Sequence, residues 1–376
     1  MTTNKTILFD VDGVLLSEER YFDSSALTVW EMLYSKEYIG VNQTIFNTNL
    51  SDEEITQVRS TVFDNDRVLS FIKSRGINAN WDMVYLTLSH QIIVLLQQIQ
   101  STDEEFVREF LSKDITLDSL LKLNNKVQNS VVTPQFHTFV EDFEEGEATK
   151  QELLTFLNEI AYKKLGVKTE SFTRNSELWT IGRQAFQEWY VGDELIEKSI
   201  GKKAKQPGKK GFIQHEIPLA KEKELQELFQ QLQSEKWTIG VGTGRPKLET
   251  IEPLRALGLL DYIEEERIVT ASDVLEAEEA HPKKAPLAKP QPYTYIRSWL
   301  TKQSTIQQAL EFTLPINEEK IFIVGDSVAD GLAAQTMGAT FVAVLTGLSG
   351  KKARPDFEKM NADYIIDNVV DLSTII

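Results

Sequence analysis

The chain has 376 residues, a length that allows two domains, and 41% of them are hydrophobic, which is enough for packed cores. It has no cysteine, and this excludes disulfides, thiolate nucleophiles and thiolate metal sites. The formal net charge is −17, from 57 acidic and 40 basic residues. That balance argues against nucleic acid as a partner, because there is no excess of cations to neutralise phosphates. An anionic ligand must therefore be attracted by local features.

The first predicted element is a buried strand that ends in two acidic residues. The apolar residues 7–9 are followed by Asp10, Val11, Asp12 and Gly13. The two-residue period of a strand places both carboxylates on one side of the backbone, and Gly13 permits a sharp turn. Such carboxylates repel each other unless a cation lies between them or one is protonated. One could then attack as a nucleophile while the other handles a proton, although a strand running into an Asx-Gly turn is the plain alternative.

The next 200 residues have mostly helical patterns. Two capping boxes, at 51–54 and 102–105, predict helix starts. Amphipathic spacing predicts helices over 147–165 and 176–191. Residues 82–100 form the most apolar long stretch, but polar residues interrupt it, so it predicts a buried helix rather than a membrane span.

A basic run closes this region. It extends from Lys198 to Lys210 and contains Lys202, Lys203, Lys205, Lys209 and Lys210, with glycine and proline between them. We predict a flexible, solvated loop near 198–211. A contact with substrate or lipid is the alternative.

A second apolar strand is predicted over 237–242, and Thr243, Gly244 and Arg245 follow it. A helix is predicted from residue 246 to residue 257, and Pro253 is expected to break or kink it. A hydroxyl and free backbone amides at a helix N-terminus form an anion site, because those N–H groups have no partner within the helix. An ordinary loop is the alternative.

Lys289 precedes a helix predicted over 295–310 and lies next to Pro290, with Pro292 two residues further on. A lysine held between prolines can offer its ammonium group to a phosphate and to a carboxylate at once. A solvated lysine in a proline-rich loop is the alternative.

A further acidic pair follows a strand predicted over 321–324. Asp326 lies in the loop, and Asp330 lies in the first turn of a helix predicted over 329–337. Carboxylates in such places can also serve as helix caps. With short strands over 267–270 and 340–345, the alternation of strands and helices predicts an α/β fold, a doubly wound parallel sheet that binds ligands at the carboxyl ends of its strands.

These local sequences resemble the four motifs of the haloacid dehalogenase (HAD) superfamily, in the same order. They are DxDG at 10–13, Thr243, the KPxPxxY form at 289–295 and GDSxxD at 325–330. The similarity is greatest to the branch of phosphoglycolate phosphatases and beta-phosphoglucomutases. It implies a Rossmann-like core of residues 1–17 and 217–376, and a large, mainly helical cap domain of residues 18–216 inserted after the first motif.

The resemblance also implies roles for the acidic residues. Asp10 would attack phosphorus and form an aspartyl-phosphate, and Asp12 would protonate the leaving oxygen and later activate water. Mg²⁺ would be held by the Asp10 carboxylate, the Asp12 main-chain carbonyl and Asp326. Asp330 would act on the metal through bridging waters, or it would bond the residues that hold the metal without binding the metal itself.

The remaining residues are implied to hold the phosphate. Thr243, the Gly244 amide and Lys289 would bind the phosphoryl oxygens and offset charge in the transition state. Arg245 is placed to meet a further anionic group of the substrate.

The expected function is Mg²⁺-dependent hydrolysis of a small phosphorylated metabolite. A sugar phosphomutase that uses the same Asp pair is an alternative, and a non-catalytic protein that binds a phosphate ligand is another. A dehalogenase is disfavoured, because its pattern lacks the second acidic residue that Asp12 supplies here. The N-terminal residues lead into the first strand without the apolar region of a signal peptide, so we expect a cytoplasmic protein without membrane or nucleic-acid partners.

Overall fold

The computed structural model describes residues 5–77, 79–144, 146–149, 152–316 and 320–376. They divide into two compact units. The first unit holds Ile213–Ile376 and the N-terminal residues as far as Glu19, and the second is Arg20–Phe212. The second unit is therefore one continuous insertion into the first. The sequence predicts these borders after residues 17 and 216.

The first unit is built on a parallel sheet, so the predicted doubly wound α/β fold is confirmed. Its six described strands are arranged in the order β3-β2-β1-β4-β5-β6. They are β1 (Lys5–Phe9), β2 (Trp237–Gly242), β3 (Ile268–Val269), β4 (Lys320–Gly325), β5 (Thr340–Val344) and β6 (Tyr364–Ile366). In register, Phe9 of the central strand lies beside Val241 of β2 and Val324 of β4. The residues that follow these three strands therefore meet at one edge of the sheet.

Helices cover both faces of this sheet, which explains why its strands are almost continuously apolar. Ile7 and Phe9 pack on one face with Leu228 and its neighbours, while Leu8 and Ile323 pack on the other. The helices of the unit are α10 (Glu222–Ser234), α11 (Lys247–Ala256), α12 (Ala271–Ala280), α13 (Tyr293–Leu300), α14 (Ile306–Leu310), α15 (Val328–Met337) and α16 (Arg354–Lys359). Packing on both faces holds the central strand in place within the unit.

One predicted helix is divided in the structure. The pattern over 295–310 predicts a single helix, but α13 ends at Leu300 and α14 begins at Ile306. Thr301 lies between them with φ of 69°, in the left-handed region that helices exclude. The carbonyls of Thr301 and Lys302 accept bonds from the buried Arg297, so this side chain holds the interruption in place.

The sequence predicts that Pro253 breaks or kinks its helix, but it lies inside α11, which continues to Ala256, so no break occurs. Proline has no N–H to donate to the carbonyl of Glu249, four residues earlier. That carbonyl accepts a bond from Nη1 of Arg245 at 3.4 Å. The arginine side chain compensates for the missing helix bond.

The second unit is helical in its described residues. Its helices are α1 (Glu19–Tyr34, which begins at the border), α2 (Asp52–Val62), α3 (Arg67–Ser74), α4 (Asn80–Gln100), α5 (Glu104–Phe110), α6 (Leu117–Val127), α7 (Thr138–Glu144), α8 (Glu152–Leu165) and α9 (Glu177–Ile200). The capping box of Ser51 and Glu54 is confirmed, whereas α5 is capped by Asp103 rather than by Thr102. α4 is buried on nearly all sides and packs against α8 and α9. No helix within the described ranges is long and apolar enough to cross a membrane.

The basic run at its end is anchored, which corrects the prediction of a flexible, solvated loop. The Lys209 side chain is fully buried, and its Nζ lies 3.0 Å from Oε1 of Glu31 and 2.8 Å from Oε2 of Glu188. Gln206 is also buried and bonds Glu31. The spacing of the lysines predicts that their side chains are solvated, but one of them pairs with two glutamates from α1 and α9. We refer to residues 201–212 as the strap.

Candidate active site

Asp10 follows the central strand and lies at the carboxyl edge of the sheet. Its backbone N–H donates to the carbonyl of Val324 at 2.9 Å, and its carboxylate accepts from the N–H of Val11 at 2.8 Å. Gly13 then turns the chain with φ of +70°, a value that favours glycine. These contacts fix the Asp10 carboxylate at the point where β1, β2 and β4 end.

Lys289 reaches the same point from the loop before α13. Its Nζ lies 2.6 Å from Oδ2 of Asp10 and 2.8 Å from Oδ1 of Asp330. It also donates to the carbonyl of Gly242 at the end of β2, at 3.3 Å. Burial alone would lower the pKa of Lys289, but the charges of Asp10 and Asp330 outweigh it, so the pKa is raised. The structure thus brings Lys289, Asp10 and Asp330 together.

Asp330 is fully buried and bonds the ammonium group of Lys289. Its Oδ1 accepts from the hydroxyl of Tyr295 at 2.7 Å as well as from Lys289. Its Oδ2 accepts from the hydroxyl of Ser327 at 2.6 Å, as part of the capping box of α15. Burial would raise the pKa of Asp330, but Lys289 and the bonds from Ser327 and Tyr295 lower it below its ordinary value. Asp330 therefore combines the cap role with a contact to Lys289.

Three carboxylates lie close enough to share a cation. Oxygen atoms of Asp10, Asp326 and Asp330 all lie within 4.8 Å of one another. Burial, the charge of Asp330 and the charge of Asp12 raise the pKa of Asp10 to about 7, although Lys289 opposes this. Burial and the charges of Asp10 and Asp330 raise the pKa of Asp326 well above its ordinary value. The one ammonium group of Lys289 cannot neutralise three ionised carboxylates, so this cluster holds protons more tightly than isolated carboxylates do.

Asp326 occupies a space between two glycines. A Cβ atom built on Gly13 or on Gly347 would collide with the Asp326 carboxylate. The hydroxyl of Thr346 also donates to the carbonyl of Gly13 at 2.7 Å, which joins the loop after β5 to the turn after β1. These two loops set the position of Asp326, and nothing in the local sequence around Gly347 indicates its part in the site.

Thr243 and Gly244 follow β2 at the same edge of the sheet. Thr243 is buried, and its N–H donates to the carbonyl of Val269 at 3.0 Å. Its hydroxyl oxygen accepts from the N–H of Arg245 at 3.2 Å. Gly244 is exposed, and a Cβ atom there would meet open space. The loop therefore offers an accessible backbone beside a hydroxyl.

The side chain of Arg245 is buried, whereas the sequence predicts that it meets an anionic group of the substrate. Its side chain is only 1% exposed. Nε donates to Oδ1 of Asp12 at 2.8 Å and Nη2 to the same atom at 2.5 Å, while Nη1 donates to Oε1 of Glu216 at 2.6 Å. A guanidinium engaged by two carboxylates has little capacity left for a third anion.

Sequence reasoning misses several residues of this site. Tyr295 and Ser327 stand inside the quoted motifs, and their hydroxyl groups signal a possible bond to a carboxylate. Glu216 gives no such signal, because it precedes Arg245 by 29 residues and belongs to no motif. Gly347 follows a strand that contributes no motif residue.

The C-terminal part of the first unit matches a known family. Residues 287–372 match the family model described as HAD-hydrolase-like, and this range includes Lys289, Asp326 and Asp330. Asp10 and Asp12 add the acidic pair at the end of the central strand. The chain belongs to the HAD superfamily. It is a hydrolase of the HAD type, as its motifs predict.

Solved structures resemble this HAD protein to very different degrees. The X-ray structure of Northeast Structural Genomics Consortium target ZR25 is 38% identical, with a TM-score of 0.90, and the match covers 99% of this chain and 98% of that one. A proposed HAD hydrolase, YfnB from Bacillus subtilis bound to magnesium, is 14% identical, with a TM-score of 0.40 and coverage of 100% and 99%. Phosphatase Tt82 from Thermococcus thioreducens is 15% identical, with a TM-score of 0.37 and coverage of 96% and 92%. The TM-scores of these last two structures are too low to support any conclusion about the fold of this chain. No curated protein matches the chain significantly.

Proposed function

We propose that this HAD hydrolase is a Mg²⁺-dependent phosphatase that hydrolyses a small phosphorylated metabolite through an aspartyl-phosphate on Asp10. One observation carries the proposal. The Asp10 carboxylate at the end of the central strand lies 2.6 Å from the Lys289 ammonium and is clustered with Asp326 and Asp330. A nucleophilic carboxylate with a cation beside it can receive a phosphate dianion that it would otherwise repel.

Two carboxylates would divide the chemistry between them. Asp10 would attack phosphorus opposite the leaving oxygen, and water would then hydrolyse the aspartyl-phosphate, which replaces one hard step by two easier ones. Asp12 is two residues further on, and its side chain is 31% exposed. It would give a proton to the leaving oxygen and take one from the attacking water.

The phosphoryl oxygens would be held by groups at the same edge of the sheet. Lys289 would supply positive charge, and the Thr243 hydroxyl and the exposed Gly244 amide would supply hydrogen bonds. The anchoring of Lys289 by Asp330 and Tyr295 supports this role, because a fixed ammonium group needs no reorganisation as charge develops.

The acidic cluster fits a divalent cation. Its carboxylates outnumber the one ammonium group beside them, and the raised pKa of Asp326 reflects burial together with repulsion from Asp10 and Asp330, both of which a bound cation would offset. Asp10 and Asp326 would hold Mg²⁺ through their carboxylates, and Asp12 would contribute its main-chain carbonyl. Asp330 would act through bridging waters or by bonding the residues that hold the ion. When bound, the ion supplies neutralisation and orientation of the transferred phosphoryl group.

Release of inorganic phosphate from a panel of phosphomonoesters, with and without Mg²⁺, tests the proposal. We expect turnover that needs the metal and is abolished in Asp10→Asn, because an amide cannot form the acyl phosphate. Asp273→Asn is the matched control, since Asp273 is a partly buried carboxylate of the same unit paired with Lys302 at 2.8 Å. It should retain turnover.

Other outcomes would replace the proposal. Isomerisation of a sugar phosphate without release of phosphate would make the protein a phosphomutase that uses the same aspartates. Binding of phosphorylated ligands without turnover, in a folded protein with Mg²⁺ bound, would make it a non-catalytic phosphate-binding protein.

A further inference from the structure

The environment of Arg245 gives this residue a task that its place in the sequence does not show. Arg245 follows the candidate phosphate loop directly, yet its guanidinium turns away from solvent and bonds Asp12. Both bonds, from Nε and Nη2, reach the same oxygen atom, Oδ1. A carboxylate held at one oxygen by two donors is fixed in direction, and its Oδ2 is left to carry a proton.

Glu216 fixes the other side of the guanidinium. Its side chain is 2% exposed, and it accepts from Nη1 of Arg245 at 2.6 Å. The same Nη1 donates to the carbonyl of Glu249 that Pro253 leaves without its helix bond. Arg245 is thus held by Glu216 and by α11 on one edge, so that its opposite edge faces Asp12.

We propose that Arg245 is a positioning residue that aims the carboxyl group of Asp12 at the leaving oxygen, and that Glu216 anchors Arg245 for this purpose. The inference rests on the proposed phosphatase function. In the step concerned, the bond from Asp10 to phosphorus forms and the bond from phosphorus to the leaving oxygen breaks. The leaving oxygen keeps that electron pair and receives the proton from Oδ2 of Asp12.

Burial and charge support positioning over substrate binding. One guanidinium between two carboxylates is already neutralised, so a phosphate gains little from approaching it. The planar fork of arginine also fixes the direction of its partner, which the ammonium group of lysine cannot do. Arg245→Lys therefore keeps the charge and loses the direction.

Substrates with different leaving groups separate the two roles. The p-nitrophenolate ion leaves without a proton, whereas an alkoxide needs one. We therefore compare p-nitrophenyl phosphate with the best alkyl phosphate of the panel. Asp12→Asn is the reference, with an expected loss of about 10²- to 10⁴-fold in kcat/KM on the alkyl phosphate and a much smaller loss on the aryl phosphate, because kcat/KM reports only the steps up to departure of the leaving group. Arg245→Lys should show the same selective loss.

Three further variants complete the test. The double variant Asp12→Asn with Arg245→Lys should be no slower on the alkyl phosphate than Asp12→Asn alone, because both changes remove one function. Glu216→Gln retains an acceptor for Nη1 and should show a weaker form of the same selectivity. Arg297→Lys is the matched control, since Arg297 is a buried arginine that bonds backbone carbonyls, and it should leave the ratio of the two activities unchanged.

The outcomes separate the two proposals. Equal losses on both substrates in the folded Arg245→Lys and Glu216→Gln variants would overturn the positioning role. An increase in KM with unchanged kcat would instead return Arg245 to substrate binding. A wild-type protein that turns over neither phosphate in Mg²⁺ would contradict the proposed function itself.

Discussion

Asp326 depends on glycine at two positions that lie far apart in the chain. Gly13 turns the loop after β1, and its φ of +70° already favours glycine. Gly347 has no such conformational requirement, and only its closeness to the Asp326 carboxylate excludes a side chain. The Asp326 carboxylate therefore fits in its place only because neither Gly13 nor Gly347 has a Cβ atom.

Gly347→Ala should displace the Asp326 carboxylate and weaken Mg²⁺ binding with little change in the fold. For the wild type, linkage predicts stabilisation of about 2.7 kcal/mol when Mg²⁺ is at 100 times its Kd. Thermal unfolding with and without Mg²⁺ measures this gain, which should shrink in Gly347→Ala. Gly182→Ala, a substitution within α9, is the control and should keep the full response. A full Mg²⁺ response in Gly347→Ala would show that Asp326 does not need this space.

At the residue scale, the sequence predicts a group when the chemistry of the group and its local pattern agree. Asp10, Lys289 and Asp330 lie in motifs, and their side chains meet in space. Arg245 has the same kind of signal, but its buried side chain is paired with Asp12 and with Glu216, and Glu216 is distant in sequence. A local pattern gives the type of charge but does not show whether the fold has already neutralised it.

The strap, at the scale of elements, is held by one buried lysine. Lys209 lies between Glu31 of α1 and Glu188 of α9, with the ring of Trp189 5.1 Å from its Nζ. The neighbouring Lys210 is exposed. Two adjacent lysines of the same run thus have opposite environments, which provides a test.

Lys209→Met should lower the free energy of unfolding by about 3–5 kcal/mol, because it leaves two buried carboxylates without their cation. Lys210→Met should change it by no more than about 0.5 kcal/mol, as is usual for surface positions. Urea unfolding of both variants at one pH makes the comparison. Equal effects would mean that the strap is not held by this ion pair.

The same cluster should give the protein a measurable pH dependence of stability. Burial, with a contribution from the charge of Glu188, raises the pKa of Glu31 above its ordinary value of 4.5, although Lys209 opposes the shift. The folded state therefore binds a proton more tightly than the unfolded state. The stabilisation from this proton is fully present below pH 4.5 and is lost as the pH rises through the folded pKa.

Glu31→Gln should remove this dependence. The difference in unfolding free energy between wild type and Glu31→Gln is expected to favour the wild type most in acid and to decline as the pH rises. Urea unfolding across the pH range measures the difference, and Glu197→Gln, at an exposed position of α9, should show no such trend. A difference that stays constant with pH would contradict the buried-proton explanation.

Elements were predictable where one signal decided them and not where a distant contact did. β2 has the predicted bounds of 237–242. The division between α13 and α14 depends on the backbone of Thr301 and on bonds from Arg297, and the apolar spacing contains neither. The short strand β6 is only partly buried at the edge of the sheet, and Asp363 and Asp367 flank its three apolar residues, so no sequence pattern singles it out.

At the scale of the whole molecule, the second unit is a continuous segment with its own core around α4. We expect a fragment of residues 20–212 to fold by itself, since a segment of this size with a buried core is a typical domain. Circular dichroism and urea unfolding should show a helical spectrum and one cooperative transition. A gradual loss of signal would contradict this.

The fragment also provides an internal check. Lys209, Glu31 and Glu188 all belong to the second unit. The destabilisation by Lys209→Met should therefore be the same in the fragment as in the full chain.

The position of β1 has a consequence for biosynthesis. Among the six described strands, the central one leaves the ribosome before the others, and its neighbours begin at Trp237 and Lys320. At about 5–20 residues per second, β1 waits roughly 10–45 s for β2. The inserted helical unit is complete in that interval, while three apolar residues of the nascent chain remain without partners. The edge of the sheet that carries the candidate active site is thus assembled last, and translation that stops before Asp326 leaves the helical unit attached to half of the acidic cluster.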